Sequence, residues 1–176
     1  MKRFLGSIFS EQFMDELAER VIELTGGTNR QYAFEAAYDT MVRVDANRFV
    51  ADRFVNFDID AIDAILDNLI TGDFIAIKGI ATFAMFPFCG QSWNYYLLES
   101  FCYRFSKKYR LEVMNFNDKS AGIVAKKICK LKYQEMLAVA ASKADITLTT
   151  EAVGAYLFAT GYMAKSKYAG LGNNRR

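Results

Sequence analysis

Histidine is absent from all 176 residues. That removes the commonest general base and the commonest metal ligand. With them go any Ser-His or Cys-His nucleophile and any histidine-based zinc site. Proline occurs once, at Pro87. The three cysteines, Cys89, Cys102 and Cys129, lie 13 and 27 residues apart and match no zinc or redox spacing. They are expected to be reduced, buried thiols. No apolar run approaches the ~18 residues that a membrane span requires. The opening MKRFLGSIF resembles the start of a signal peptide, but its apolar run is short and the acidic EQFMDELAER follows at once. A cytoplasmic protein with no membrane partner is therefore expected. No P-loop, dinucleotide-binding glycine pattern or kinase motif is present. The interval from Gly6-Ser7 to Asp58 and Asp60 is too long for the glycine-serine and paired-aspartate elements of nucleotidyltransferases. A non-enzymatic protein without cofactor or metal is expected.

What is present supports a real core. Hydrophobic residues make up 52% of the chain and mean hydropathy is +0.02, which argues against disorder. Net charge is only +2, but it is unevenly placed. Residues 1–103 hold 8 Lys and Arg against 15 Asp and Glu, a balance of −7. Residues 104–176 hold 14 against 5, a balance of +9. A basic half is the footprint expected of a phosphate-binding surface.

Periodicity and punctuation divide the chain. Phe13, Met14, Leu17, Ala18, Val21 and Ile22 form one stripe of a helix over 11–25, stopped by Gly26-Gly27. Thr28 and Gln31 make a capping box for a helix running to about Met41. Residues 42–57 fit either an extended segment or helical turns. Asp58 or Asp60 caps a helix over 59–70, with Gly72 as its C′ stop. On that helix Asp60, Asp63 and Asp67 share a face opposite the isoleucines, which reads as a solvated face rather than a metal cluster. Phe74, Ile75 and Ile77 are strand formers. A short apolar helix (IATFAMF) and a long helix over 92–108 follow, separated by Pro87 and Gly90. RLEVMNF and IVAKK form a hairpin around a turn at 116–122. Helices over 128–143 and 150–160, then a basic tail, close the chain.

From Ile59 to Lys127 this order is helix, strand, helix, helix, strand, wing, strand. In that order, though in no specific motif, it resembles winged-helix DNA-binding domains. The resemblance implies a winged-helix core (58–127) with a small β-hairpin wing; with the N-terminal helical unit (1–57) and C-terminal helices and basic tail (128–176) read from periodicity, the expected fold is α+β, mostly helical, and one compact globule. It also implies that the long helix and the wing meet the partner. At 100° per residue, Trp93, Leu97, Leu98, Phe101 and Phe105 fall on the core side. Ser92, Tyr95, Tyr96, Glu99, Tyr103, Ser106, Lys107 and Arg110 fall opposite and are expected to be exposed, as are Lys119 at the wing tip and Lys126 and Lys127 at its base. Two readings follow. Lysines suit duplex DNA, and with it an accessory or regulatory protein, of phage or plasmid type. The tyrosine face with Glu99 suits a protein partner, as in a mobile-element inhibitor of a host nuclease of the anti-CRISPR kind.

Overall fold

The structure, a computed structural model, describes residues 30–113 and 120–164. The helix expected over 11–25, the wing residues 116–119 with Lys119, and the basic tail beyond 164 lie outside the described residues. Within them the fold is α+β, with five α-helices and two small antiparallel sheets.

Helix α1 (Arg30–Thr40) leads directly into β1 (Met41–Asp45) and β2 (Arg48–Ala51), an antiparallel hairpin that settles the ambiguous stretch after residue 41. Ala46 and Asn47 make the turn, and Asp45 Oδ1 accepts from the Ala46 amide at 2.7 Å. The Asp58 carboxylate accepts from the Ala61 amide and starts α2 (Ile59–Leu69) as expected. Its stop differs from the expectation. Ile70 is the C-cap, and Gly72 does not take the left-handed conformation of a C′ glycine. Ile62, Leu66 and Ile70 then turn inward.

β3 (Phe74–Ala76), β4 (Tyr109–Glu112) and β5 (Ile123–Lys126) form one antiparallel sheet with β5 in the middle. The alternation of β5 divides the core into layers. Val124 faces α2 and α3 (Tyr95–Ser100), together with Leu98, Phe101 and Tyr109. Ile123 and Ala125 face α4 (Tyr133–Ser142) and α5 (Thr150–Ala159), together with Met136 and Leu157. Gly122 must be glycine: its φ is +151°, and a Cβ would lie 2.8 Å from the Glu112 carbonyl oxygen. Gly161 ends α5 in the left-handed region at φ +82°, and its carbonyl accepts from the Gly122 amide.

Three elements depart from the sequence reading. Residues 80–94 contain no helix; aromatic packing and Pro87 hold them as an irregular loop. The long helix starts only at Tyr95, capped by Asn94, and widens at Phe101–Phe105 into a π-turn closed by the Ser106 amide on the Phe101 carbonyl. That wider turn shifts the phase of everything after Ser100, so Ser106 points inward and is 2% exposed. The helix expected from Ile128 begins at Tyr133, because residues 126–131 wrap around the Arg110 guanidinium.

Asp63 explains how the π-turn ends. It is 1% exposed, against the solvated face read from the sequence. One carboxylate oxygen accepts from Ser106 Oγ at 2.5 Å, and the other accepts from the Lys107 and Lys108 amides at 2.9 and 3.1 Å. Asp60 and Asp67 remain on the surface, paired with Lys107 and Lys108. Asp63→Ala removes the acceptor of the buried Ser106 hydroxyl and of two part-buried amides and is expected to destabilise the fold by about 2–3 kcal/mol. Asp60→Ala should stay within the ~0.5 kcal/mol range of surface substitutions. Chemical denaturation of both variants measures the difference; equal losses would contradict this assignment.

Candidate functional site

The residues expected to form one exposed face are not presented together. Ser92 and Lys107 are exposed, and the Lys107 ammonium lies 2.7 Å from Asp60. Tyr95 is half-buried: its hydroxyl donates to the Ile80 carbonyl at 3.2 Å and its ring meets Phe83 edge-on. Tyr96 lies under the Arg43 guanidinium, 4.4 Å from ring centroid to Cζ. Tyr103 is 38% exposed but donates to Asp39 on α1 at 2.9 Å. Arg110 is turned toward the backbone carbonyls of residues 126–131. Lys126 is half-buried. Lys127 is exposed, with its ammonium donating to the Ser106 carbonyl at 2.6 Å. Ser120 and Gly122, expected in an exposed wing, are buried.

Glu99 is the largest correction. It is 3% exposed, because the β1–β2 hairpin lies across the side of α3 that the sequence left open. Tyr38 donates to one of its oxygens at 2.6 Å, Ser120 Oγ to the other at 3.2 Å, and Arg43 Nη1 stands 3.6 Å away. Arg43, 1% exposed, also donates to Tyr38 Oη and to the Asp45 and Ala46 carbonyls. Burial pushes the Glu99 carboxyl up to about 7, while Arg43, Tyr38, Ser120 and the Ala121 amide pull in the opposite direction. Burial, then the Glu99 charge, also raises the Tyr38 phenol well above its ordinary value. This cluster is enclosed and every polar group named in it has a partner, so it fastens elements together rather than meeting a ligand.

The surface that stands out is the loop 80–94. Its backbone is held at several points. Trp93 Nε1 donates to the Pro87 carbonyl at 2.7 Å, and the Asn56 amide donates to the Cys89 carbonyl at 2.8 Å. Gly90 adopts φ +94° with its Cα side against the Phe54 carbonyl oxygen, where a Cβ would be 2.8 Å away. Phe86 is buried, packed on Trp93 and Phe83 at centroid distances of 4.8 and 5.4 Å. From this pinned frame Phe88 projects at 82% exposure and Met85 at 63%, while Phe54 on the adjoining 3₁₀ turn is 39% exposed. The Pro-Phe-Cys-Gly break at residues 87–90 is visible in the sequence as punctuation. Only the fold shows that Phe86 turns in and Phe88 turns out.

The Glu99 carboxyl titrates higher in the folded protein than in an unfolded chain, near 4.5. Between those values the folded state binds the additional proton. Its contribution to stability is therefore fully present below about 4.5 and is lost as pH rises through about 7. Glu99→Gln keeps the shape and removes the titration. The stability difference between wild type and variant should shift against wild type as pH rises across that window, and a difference constant with pH would refute the assignment. Comparison of the chain with protein-family models, with curated proteins and with solved structures finds no match in any of the three, so the significance of these surfaces follows from their own chemistry.

Proposed function

We propose that this chain is a non-enzymatic interaction protein that docks a protein partner on the loop 80–94 through Phe88 and Met85. The observation that carries this reading is the 82% exposure of Phe88 on a backbone pinned by Trp93, Asn56 and Gly90. A large aromatic left in water forgoes about 1.5–3 kcal/mol of burial energy, which a partner pocket recovers. A loop already held in one shape loses little entropy on binding. Exposed aromatics and methionine are the side chains most enriched at the centres of protein interfaces. A small inhibitor of a host nuclease, encoded on a mobile element, is one protein of this kind.

The resemblance to winged-helix domains fits the same proposal. In support of it, the three strands expected of residues 58–127 pair in one sheet behind α2 and α3. The unit differs where a groove reader needs access. α3 is six residues long before its π-turn, and the β1–β2 hairpin occupies its open side. The loop that stands in place of the second helix carries the exposed aromatic instead. We therefore read residues 58–127 as a winged-helix-like scaffold turned to protein contact.

Phe88→Ser with Met85→Ser is expected to leave stability within about 0.5 kcal/mol, since both side chains are exposed. It should weaken binding to a partner recovered from nuclease-treated native lysate by about 30-fold or more, the loss expected on removing a hot-spot aromatic. A folded double variant that binds the recovered partner as tightly as wild type would exclude this loop as the docking surface.

A further inference from the structure

A second surface arises from Arg110, independently of the aromatic loop. From β4 its guanidinium donates to the Lys126 and Cys129 carbonyls, each at 2.8 Å, and to the Leu131 carbonyl at 3.1 Å, while Nε donates to Glu112. The Cys129 amide returns to the Lys126 carbonyl at 2.9 Å and closes a tight turn with Lys127 and Ile128 at its centre. One guanidinium thus gathers three carbonyls on the inner side of the segment. Cys129 is buried beneath it, and Lys127, Ile128, Lys130 and Lys132 are exposed. The segment KKICKLK places four lysines within seven residues on a backbone fixed from below. The Lys127 amide donates to the Lys108 carbonyl at 2.7 Å, which lays this turn beside the Lys107-Lys108 turn.

Neighbouring carboxylates treat the two turns differently. Asp60 and Asp67 neutralise Lys107 and Lys108. Lys126, Lys127, Lys130 and Lys132 form no ion pair with another described residue. Glu135 reaches the segment at the Lys132 amide, and Asp67 lies within electrostatic range of Lys126. What remains is a rigid ridge of positive charge on a body whose other described residues carry ten Lys and Arg against fourteen Asp and Glu.

We propose that the Lys126–Lys132 turn is a contact surface for the phosphate backbone of a nucleic acid, bound without regard to sequence. Lysine ammonium groups are point charges suited to phosphate. The turn carries no Arg, Asn or Gln, the side chains that read base edges through paired hydrogen bonds. Phosphate contacts of this type give affinity and position but no sequence information. An anionic membrane fits less well, because adsorption to a bilayer adds a broad apolar face and this turn offers only Ile128.

The test uses the full chain and its Lys130→Ala, Lys132→Ala double variant, whose side chains are exposed and form no ion pair with described residues. Fluorescence anisotropy is recorded against two unrelated DNA duplexes over a salt series, and against phosphatidylserine vesicles. Wild type should bind both duplexes alike at low salt. The slope of log K against log salt should be shallower by about 2 in the variant, since each phosphate neutralised by a lysine adds about 0.9. The four positive charges beyond residue 164 remain in both proteins, so the change in slope reports the turn alone. No duplex binding at low salt would overturn the proposal. So would an unchanged slope in a variant with an unchanged melting temperature, a preference of tenfold or more for one duplex, or binding to vesicles alone. None of these outcomes bears on the aromatic loop, whose partner is measured after nuclease treatment.

Discussion

The contact between Arg43 and Glu99 is the constraint on which the rest of the arrangement depends. Both side chains are almost fully buried, and between them they touch α1 through Tyr38, the hairpin turn through the Asp45 and Ala46 carbonyls, α3, and the approach to β5 through Ser120. Taking two charges out of water is expensive, and the pair gains net stability only when hydrogen bonds satisfy what the Coulomb attraction does not. Here Tyr38 serves both partners, and Tyr96 offers its ring face to the guanidinium. Truncating either side chain would leave the other's polar atoms buried without their partner, a loss of about 3–5 kcal/mol. The β1–β2 hairpin therefore has one place to lie, across α3, and that placement closes the helix face that would otherwise be open to a partner.

Two other charged groups act in the same manner elsewhere. Asp63 collects a hydroxyl and two amides to terminate the π-turn, and Arg110 collects three carbonyls to shape the approach to α4. In each case one charged side chain satisfies several backbone groups that no regular element could pair, which is what irregular backbone near a core requires. These groups were chosen by geometry and not by the charge of the segment they come from. Among the described residues, three ion pairs tie the two halves of the chain together. Arg104 meets Asp52, Lys107 meets Asp60 and Lys108 meets Asp67, each joining the basic half to the acidic half.

Apolar spacing made the regular elements legible. The Asp58 cap and the isoleucines of α2, the strands around Ile75 and Val124, and the α5 start at Thr149 with its glycine stop can all be read from neighbours within a few residues. The β1–β2 hairpin was not legible, because its Asp-Ala-Asn-Arg turn lacks the glycine that usually marks one and because buried Arg43 interrupts the apolar pattern. Glu99 was misplaced for a related reason. A helical wheel assigns one buried face, while α3 is covered also on its second side, by Arg43 and Tyr38, 57 and 61 residues away in sequence. Residues 128–132 were read as helix because nothing local reveals that Arg110, 18 or more residues earlier, will capture their carbonyls. Of the residues expected at the site, Lys126 and Lys127 do come together on one turn, but Tyr96 and Glu99 serve the interior.

The surface field of such a protein cannot be inferred from summed charge. The described residues carry fourteen Lys and Arg and fourteen Asp and Glu, a balance of zero, yet the distribution is far from uniform. Coulomb interactions between exposed charges fade over about 8–10 Å at physiological salt, so a distant carboxylate does little to mask a local ridge. A partner samples what lies within that range. At the Arg110 turn it meets four lysines, and at loop 80–94 it meets Phe88 and Met85. Both surfaces exist because groups from elsewhere in the fold hold the backbone, the Arg110 guanidinium in one case and the Trp93 indole with the Asn56 amide in the other. Rigidity comes from below and chemistry from the exposed side chains, so each surface can be altered at its tip without disturbing the fold that presents it.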